Sequence, residues 1–299
     1  DSTGDWSSDV CSSDLITIQN ETVVSNAMKG VYKGQKAELK VLSDLLSKLY
    51  AEYGVDGLLK LSDTRIKVIG IKSLLTKMGK RLGEDEIKKV TSILGETYKN
   101  TYYKNAFVMD SGLKTDIKFD ILKKEFIDAA VNAKYKGTFF SDRIWTEKAN
   151  MIDKLQSSLV EAMQGKTYLD KIAQDIRKTF NVSAYESQRL VNTENARVQT
   201  QASYDIGISS GVDQVMWSST LDGKTADEDA SLDGKVWGIN EDHPEPPLHP
   251  SCRCCLINVP YEGWTPTQRR DNETHELIPN QTYAEWKADK NIEDRRAHV

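Results

Sequence analysis

Cysteine is nearly absent from this chain: four residues in 299, three of them crowded between positions 252 and 255. That usage excludes the disulfide framework on which small secreted domains rely, and it fits a reducing compartment. Proline is scarce at seven residues, and the eighteen glycines carry no period, so collagen-like and low-complexity chains are excluded. No run of about 18 apolar residues exists, which excludes a membrane-spanning helix. A Walker phosphate loop, a Rossmann glycine fingerprint and a His-Glu-x-x-His helix are all missing. What remains is a globular chain, 38% hydrophobic with a mean hydropathy of -0.54, long enough for one large or two small cores.

The net charge of -5 hides an asymmetry. Residues 21–200 hold 31 Lys/Arg against 23 Asp/Glu, whereas residues 201–260 hold 3 against 10. The basic front can face nucleic acid or an acidic partner, or it can be the solvated lysine surface of a helix bundle. The two ends differ again in character. Asp5-Trp6-Ser7-Ser8-Asp9-Val10-Cys11-Ser12-Ser13-Asp14-Leu15 resembles one reading frame of a common short-read sequencing adapter, and Arg296-Ala297-His298-Val299 resembles a frame of the opposite strand. The expectation is that Cys11 and His298 are foreign, and that the natural sequence resumes near Ile16 with its true start missing and continues past Asp294.

Periodicity predicts a helical front. From Phe140, Ser141 is placed to cap a helix carrying Ile144, Trp145, Ile152, Leu155, Leu159 and Met163, with Gly165 as its stop. Leu169, Ile172, Ala173, Ile176 and Phe180 predict a shorter helix. Ser183-Ala184-Tyr185-Glu186 then has capping-box spacing and opens another, running to about Ile206 before Gly207 and Gly211. Three or four more helices are expected between Glu21 and Val131. After Gly211 the pattern changes. Val212–Trp217, Lys235–Trp237 and Cys254–Val259 read as short strands, and the Pro-rich stretch from His243 to Pro250 excludes helix. The fold class is therefore α+β, predominantly α: a helical N-terminal region followed by a small module of short strands and ordered loops. A module with so little regular core often needs a staple such as a metal. A short helix is expected around Tyr283 to Lys287.

The densest chemistry lies in Trp217-Ser218-Ser219-Thr220-Leu221-Asp222-Gly223-Lys224-Thr225, in Leu232-Asp233-Gly234-Lys235, and in Pro246-Pro247-Leu248-His249-Pro250-Ser251-Cys252-Arg253-Cys254. His249, Cys252 and Cys254 offer an imidazole and two thiols, which are zinc-type ligands that a turn can converge. Asp229 and His243 are candidates for a fourth ligand, while Cys255 points away from Cys254 if that segment is extended. The spacing is not that of a common zinc finger. Metal binding, a metal-free structural loop and Cys–His chemistry all stay open at this level, the last without a visible third orienting group. Arg189 and Glu194 can pair with each other or reach the Asp222 loop. Trp217 and Trp237 read as core aromatics, and Asp222-Gly223 and Asp233-Gly234 as turn formers.

The same residues carry a family resemblance. Thr193-Glu194, Trp217, Asp222-Gly223-Lys224-Thr225, Leu232-Asp233-Gly234 and the closing Pro246 to Cys254 resemble, in that order, the phage head morphogenesis family, the Mu F-like minor head proteins. The resemblance covers roughly residues 141–259, and its most specific part is His-Pro-x-Cys-Arg-Cys. Two departures stand out. Asn192 occupies a position where Arg often precedes Thr-Glu, and Ala226 and Asp229 stand where many members carry Cys or His. The domain reading is an adapter-derived segment over 1–15, a variable helical region over 16–140, the head morphogenesis domain over 141–260 and a tail over 261–299. The resemblance implies a minor capsid protein without catalytic residues. It would act with portal, capsid and scaffold proteins, be present in few copies per head, and influence DNA packaging or delivery. Non-specific phosphate contacts with DNA would suit the basic front, and the location would be the host cytoplasm during assembly and then the virion. Zinc at Asp229, His249, Cys252 and Cys254 is the implied cofactor question. Some Mu F-like modules are fused to C-terminal toxin or ADP-ribosylating domains, so an adaptor half of an injected effector is the alternative. A stand-alone zinc hydrolase would need an open coordination position.

Overall fold

The computed structural model describes residues 12–113 and 122–290. Residues 5–11 and 296–299 of the adapter-like stretches, with Cys11 and His298, lie outside the described residues. The described residues are 64% helical with a few short antiparallel strands, an α+β fold dominated by helix. In order the elements are α1 (Ser12–Tyr53), β1 (Gly54–Val55), β2 (Leu58–Leu59), α2 (Asp63–Ile69), α3 (Ile71–Leu113), α4 (Lys124–Val131), α5 (Phe140–Met163) and α6 (Leu169–Ser209). Then follow β3 (Gln214–Ser218), α7 (Asp227–Ala230), β4 (Val236–Gly238), β5 (Cys255–Val259), β6 (Gln268–Arg270), β7 (Leu277–Pro279) and α8 (Tyr283–Asp289). No helix of the described residues is long and apolar enough to cross a membrane. Two compact units divide the chain, and their boundaries fall within α1, α3 and α6 and in the loop between α4 and α5.

The helical unit comprises Ser25–Ser92 and Lys134–Val191. Its core forms because each helix presents an apolar stripe at three- and four-residue steps: Leu42 and Leu46 on α1, Leu75 and Met78 on α3, Leu155 and Leu159 on α5, Ile172 and Ile176 on α6. The α1 and α3 segments run antiparallel, as Arg81 bonding Glu38 and Gly34 lying against Asp85 require. Inside this unit Lys148 is buried with Glu86, Nζ to Oε2 at 2.7 Å, and also donates to Ser183 Oγ (3.1 Å) and Ser187 Oγ (3.2 Å).

Two sequence expectations fail here. Ser141 does not cap α5: Phe139 is the N-cap residue and makes no side-chain cap bond, and the helix begins two residues earlier than the Ser signal implies. Nor does Ser183 open a new helix. Its hydroxyl accepts from the buried Lys148 ammonium, so α6 runs unbroken past it. The expected stop at Gly165 holds, with φ of 75° just beyond α5. At the other end α6 passes through Gly207, where a Cβ would fall 2.3 Å from Asn258 Oδ1, so this glycine serves close packing. The helix closes instead at Gly211, whose φ is 71°, with Gly211 N–H donating to Ile208 O (3.1 Å) and Val212 N–H to Gly207 O (2.9 Å).

The strand-bearing unit comprises the described residues of Asp1–Val24, Ile93–Ala133 and Asn192–Val299. Its helical segments meet along a polar seam: Asn20 Nδ2 donates to Thr101 Oγ1 (2.9 Å), Thr97 Oγ1 to Asn195 Oδ1 (2.6 Å) and Asn105 Nδ2 to Ser203 Oγ (3.2 Å). Beside it a three-stranded antiparallel sheet has the order β4-β3-β5, with Val215 opposite both Trp237 and Asn258. Alternation along the strands sends Val215, Trp217 and Leu256 to one cluster, and Met216, Ile257 and Val259 to another. The segment expected as a tail is folded in this unit. β6 and β7 form a hairpin, and α8 begins with a complete capping box between Thr282 and Glu285. It buries Tyr283 and Trp286 against Leu221.

Candidate functional site

The site is built on the loops leaving and re-entering β3 and β5. After β3, Asp222 closes an Asx turn: its Oδ1 accepts from Lys224 N–H (2.9 Å) and lies 3.4 Å from Thr225 Oγ1. The turn leads into α7, a single helical turn that carries Asp229. Trp217 Nε1 donates to Ser219 Oγ (3.0 Å), and Ser219 Oγ donates to Asp229 O (2.8 Å), so the strand itself fixes the Asp229 backbone.

The closing loop comes from the other side. Cys252 N–H donates to His249 O (3.1 Å), making a tight turn in which Ser251 has φ of 62°. Thr193 Oγ1 on α6 accepts from Ser251 N–H (3.0 Å), which gives the first half of the Thr-Glu pair a role. Glu194 is buried on the same helix and pairs with Arg197 (2.8 Å), whose guanidinium donates to the carbonyls of Ala130 and Val131 at the end of α4. Arg189, the other partner the sequence offered, bonds Glu186 at 2.7 Å.

The two loops bring three side chains together. Asp229, His249 and Cys252 each offer one ligand atom, and these atoms lie within 4.8 Å of one another. His249 Nε2 is 2.8 Å from Asp229 Oδ2, and Cys252 Sγ is 3.6 Å and 3.7 Å from the two Asp229 oxygens. Asp229 and Cys252 are buried, while the His249 side chain keeps 36% of its surface exposed. Cys254 sits beside Cys252 and hydrogen-bonds it. That bond lowers the Cys252 thiol against the opposing effect of burial, and the same bond together with burial raises Cys254. Burial alone would lower His249, but its contacts with the Pro250 carbonyl and Asp229 outweigh it and raise its pKa. Such a carboxylate–imidazole–thiol set can hold a metal ion or act as a metal-free loop clasp. His243 lies elsewhere, stacked on Trp237 at 5.8 Å, and Cys255 is buried in β5 opposite Ser218.

Three carboxylates hold the surrounding loops, two of them through partners that the sequence did not single out. Arg253, between the last two motif cysteines, forks onto Asp222 with Nη2 2.8 Å from Oδ1 and Nη1 2.5 Å from Oδ2. Asp233 is more than a turn former. It takes Arg269 Nη1 (2.8 Å), Ser219 N–H (2.7 Å) and Tyr283 N–H (2.7 Å). Asp271 takes Lys290 (2.8 Å), Trp286 Nε1 (3.1 Å) and the N–H groups of Glu273 and Thr274. Arg253 was findable from its place in the motif opposite an Asp turn; Arg269 and Asp271, far along the chain, left no local signal.

The helical unit has its own polar cleft, of about 560 Å³, lined by Glu147, Lys154, Lys178, Ser183 and Glu186 among others. Burial pushes the Glu147 carboxyl up to about 7, and its Oε2 is buried with no hydrogen-bond donor among the described residues.

Comparison with known proteins fits the motif layout. Residues 153–257 match the family model described as Phage Mu protein F like protein. The chain is 22% identical over 294 residues to the minor head protein GP7 of Bacillus phage SPP1, a match covering 90% of this chain and 94% of that protein. It is 25% identical over 248 residues to the NAD(+)--arginine ADP-ribosyltransferase EFV of Enterococcus faecalis, covering 76% of this chain and 50% of that protein. No solved structure matches significantly. The family match thus lies over α5, α6 and the sheet, and the similarity to a minor head protein runs nearly end to end, so the chain is similar to the Mu F-like phage head morphogenesis proteins in its motif-bearing part and to one minor head protein along almost its whole length.

Proposed function

We propose that this chain is a minor capsid protein of a tailed phage or prophage, acting with the portal and with capsid or scaffold proteins in head assembly and in the packaging or delivery of DNA. The observation that carries this reading is the similarity to minor head protein GP7 over 90% of the chain. On this reading the protein is not an enzyme. Asp222, Asp233 and Asp271 are each engaged by cations or amides that position loops, and Arg253 is spent on the same task. Lys29, Lys33, Lys36 and Lys40 on α1, with Lys72, Lys77 and Lys80 on α3, are exposed and would meet DNA phosphates without base preference. The protein would reside in the virion, inside the capsid or near the portal, after a stage in the host cytoplasm. Co-expression with the portal protein encoded beside it tests the partner: a stable complex on size exclusion is expected, and elution of the two as separate species would remove the portal reading. Retention of duplex DNA at low salt, lost steeply as salt rises, is expected of the basic face; no retention at low salt would remove the DNA contact.

The similarity to ADP-ribosyltransferase EFV favours a second reading, in which the chain is the adaptor module of a phage-associated injected toxin. GP7 is matched over 94% of its length and EFV over 50%, so on this reading the shared part is the head-type module and the transferase activity belongs to the remainder of EFV. A long read through the native locus separates the two. Portal and capsid genes beside a short reading frame support head assembly, and a frame continuing into an enzymatic domain supports the toxin.

A further inference from the structure

The strand-bearing unit has a proton-counting problem at His249. Its Nδ1 lies 3.0 Å from the Pro250 carbonyl, which can only accept, so Nδ1 carries a hydrogen. In a neutral ring Nε2 is then a lone pair, yet it points at an Asp229 carboxylate oxygen 2.8 Å away. Two lone pairs facing each other need a proton or a cation between them. Asp229 is 1% exposed, and no Lys or Arg pairs with it among the described residues, so its charge is compensated only at this point. The third group there is a thiol, Cys252 Sγ, 3.6 Å from the carboxylate.

A divalent ion resolves all three demands together. Oxygen, nitrogen and sulfur donors of this mix suit zinc, whose bonds of about 2.0–2.3 Å set its donors roughly 3.3–3.8 Å apart. The Cys252–Asp229 separation already has that value, and the His249–Asp229 contact needs to open by about half an ångström. The Nδ1–H to carbonyl bond is the arrangement by which proteins fix the tautomer of a metal-bound histidine. His249 is partly exposed, which leaves the ion a way in. Cys254 hydrogen-bonds Cys252 but lies outside the cluster of three, so its thiol has to move inward to reach the ion.

We propose that Asp229, His249 Nε2 and Cys252 Sγ bind a zinc ion, with Cys254 supplying the fourth donor, and that the ion pins the loop of residues 243–254 to α7. Binding displaces the proton from Cys252, and from Cys254 when it ligates, and leaves the Nδ1 hydrogen in place. The ion is structural: four protein donors close its coordination sphere, and it staples a unit whose strands are three to five residues long.

The test uses the full chain, purified without chelators and reconstituted with Zn2+ or Co2+ alone. About one zinc per chain is expected. The Co2+ form should show the intense visible bands of a tetrahedral site and a near-ultraviolet thiolate-to-metal charge-transfer band. Asp229→Asn and Cys252→Ser should each weaken zinc binding by ten-fold or more, while His243→Ala should leave it unchanged. Failure to bind zinc on reconstitution, a Co2+ spectrum without the thiolate band, or zinc content indifferent to both ligand substitutions would each overturn the proposal. The Co2+ spectrum of the unsubstituted chain decides even if the variants fold poorly.

Discussion

Burial in the helical unit is mainly aliphatic, with Leu42, Leu75, Leu155 and Leu159 in its core cluster, beside one buried ion pair, Lys148–Glu86, that also engages Ser183 and Ser187. In the strand-bearing unit the sheet is short and its apolar clusters small, and the loops around it converge on Asp222, Asp233 and Asp271. The difference is one of specificity against tolerance. Apolar packing accepts another side chain of similar volume at modest cost, whereas a buried carboxylate hub, once broken, strands a charge and several amides at the same time. Loops that must hold a defined shape without regular hydrogen bonding are better served by the second device.

The largest effect that follows is at Asp233. Asp233→Ala leaves the buried Arg269 guanidinium uncompensated and removes acceptors from Ser219 and Tyr283, and it should cost about 3–5 kcal/mol. Denaturant unfolding measures this, and hydrogen exchange should show the loss concentrated in β3, β6 and the start of α8. Protection lost equally everywhere would mean that the two units unfold as one and would break the comparison. Next comes Leu159→Ala in the helical unit, at about 2–4 kcal/mol from lost burial and the cavity left behind. Leu159→Met at the same position should stay under about 1.5 kcal/mol. No conservative replacement of Asp233 should be tolerated so well.

Acid should act on the two units with opposite sign. Glu147 is held at about 7 against an ordinary 4.5, so between those values the folded state binds more protons than the unfolded one and stability falls as pH rises. Glu147→Gln should flatten that slope and, with its partial solvent access discounted, raise stability at pH 8 by on the order of 1 kcal/mol. Asp271 is opposite. Burial would raise it, but its bonds from Lys290, Trp286 and two backbone amides hold it at about 2, below the ordinary 3.8. Its contribution is present above 3.8 and is lost as pH falls toward 2. Unfolding midpoints of the parent and Glu147→Gln from pH 3 to 8 check both, and an unchanged slope between pH 4.5 and 7 would refute the Glu147 assignment. The smallest effect is at Thr282, where Thr282→Ala should cost about 1 kcal/mol by removing one half of the α8 capping box.

The capping boxes show how far sequence reasoning reached. Thr282-x-x-Glu285 forms its box, but Ser183-x-x-Glu186 has the same spacing and lies inside α6. The signal is local, and what decided the outcome was a buried ammonium contributed by Lys148, 35 residues away. The stripe from Ile144 to Met163 was legible because helix periodicity depends only on neighbours, and the stops at Gly165 and Gly211 because positive φ is a property of single residues. Strand β3 was also legible, shifted to start at Gln214. The convergence of Asp229 with His249 and Cys252 could be suspected from ligand types alone, whereas the exclusion of His243 could not, since its stacking on Trp237 is tertiary. The Asp233–Arg269 and Asp271–Trp286 contacts were invisible for the same reason, and they explain why the stretch after Pro260 folds.

The central claim is that this chain is a component of phage heads. Quantitative mass spectrometry of heads purified from a producing host, with the portal as internal standard, tests it most directly. The account predicts the chain in purified heads at few copies per portal ring, retained through a nuclease and salt wash. Heads free of the chain, with all of it left in the host lysate, would contradict the account.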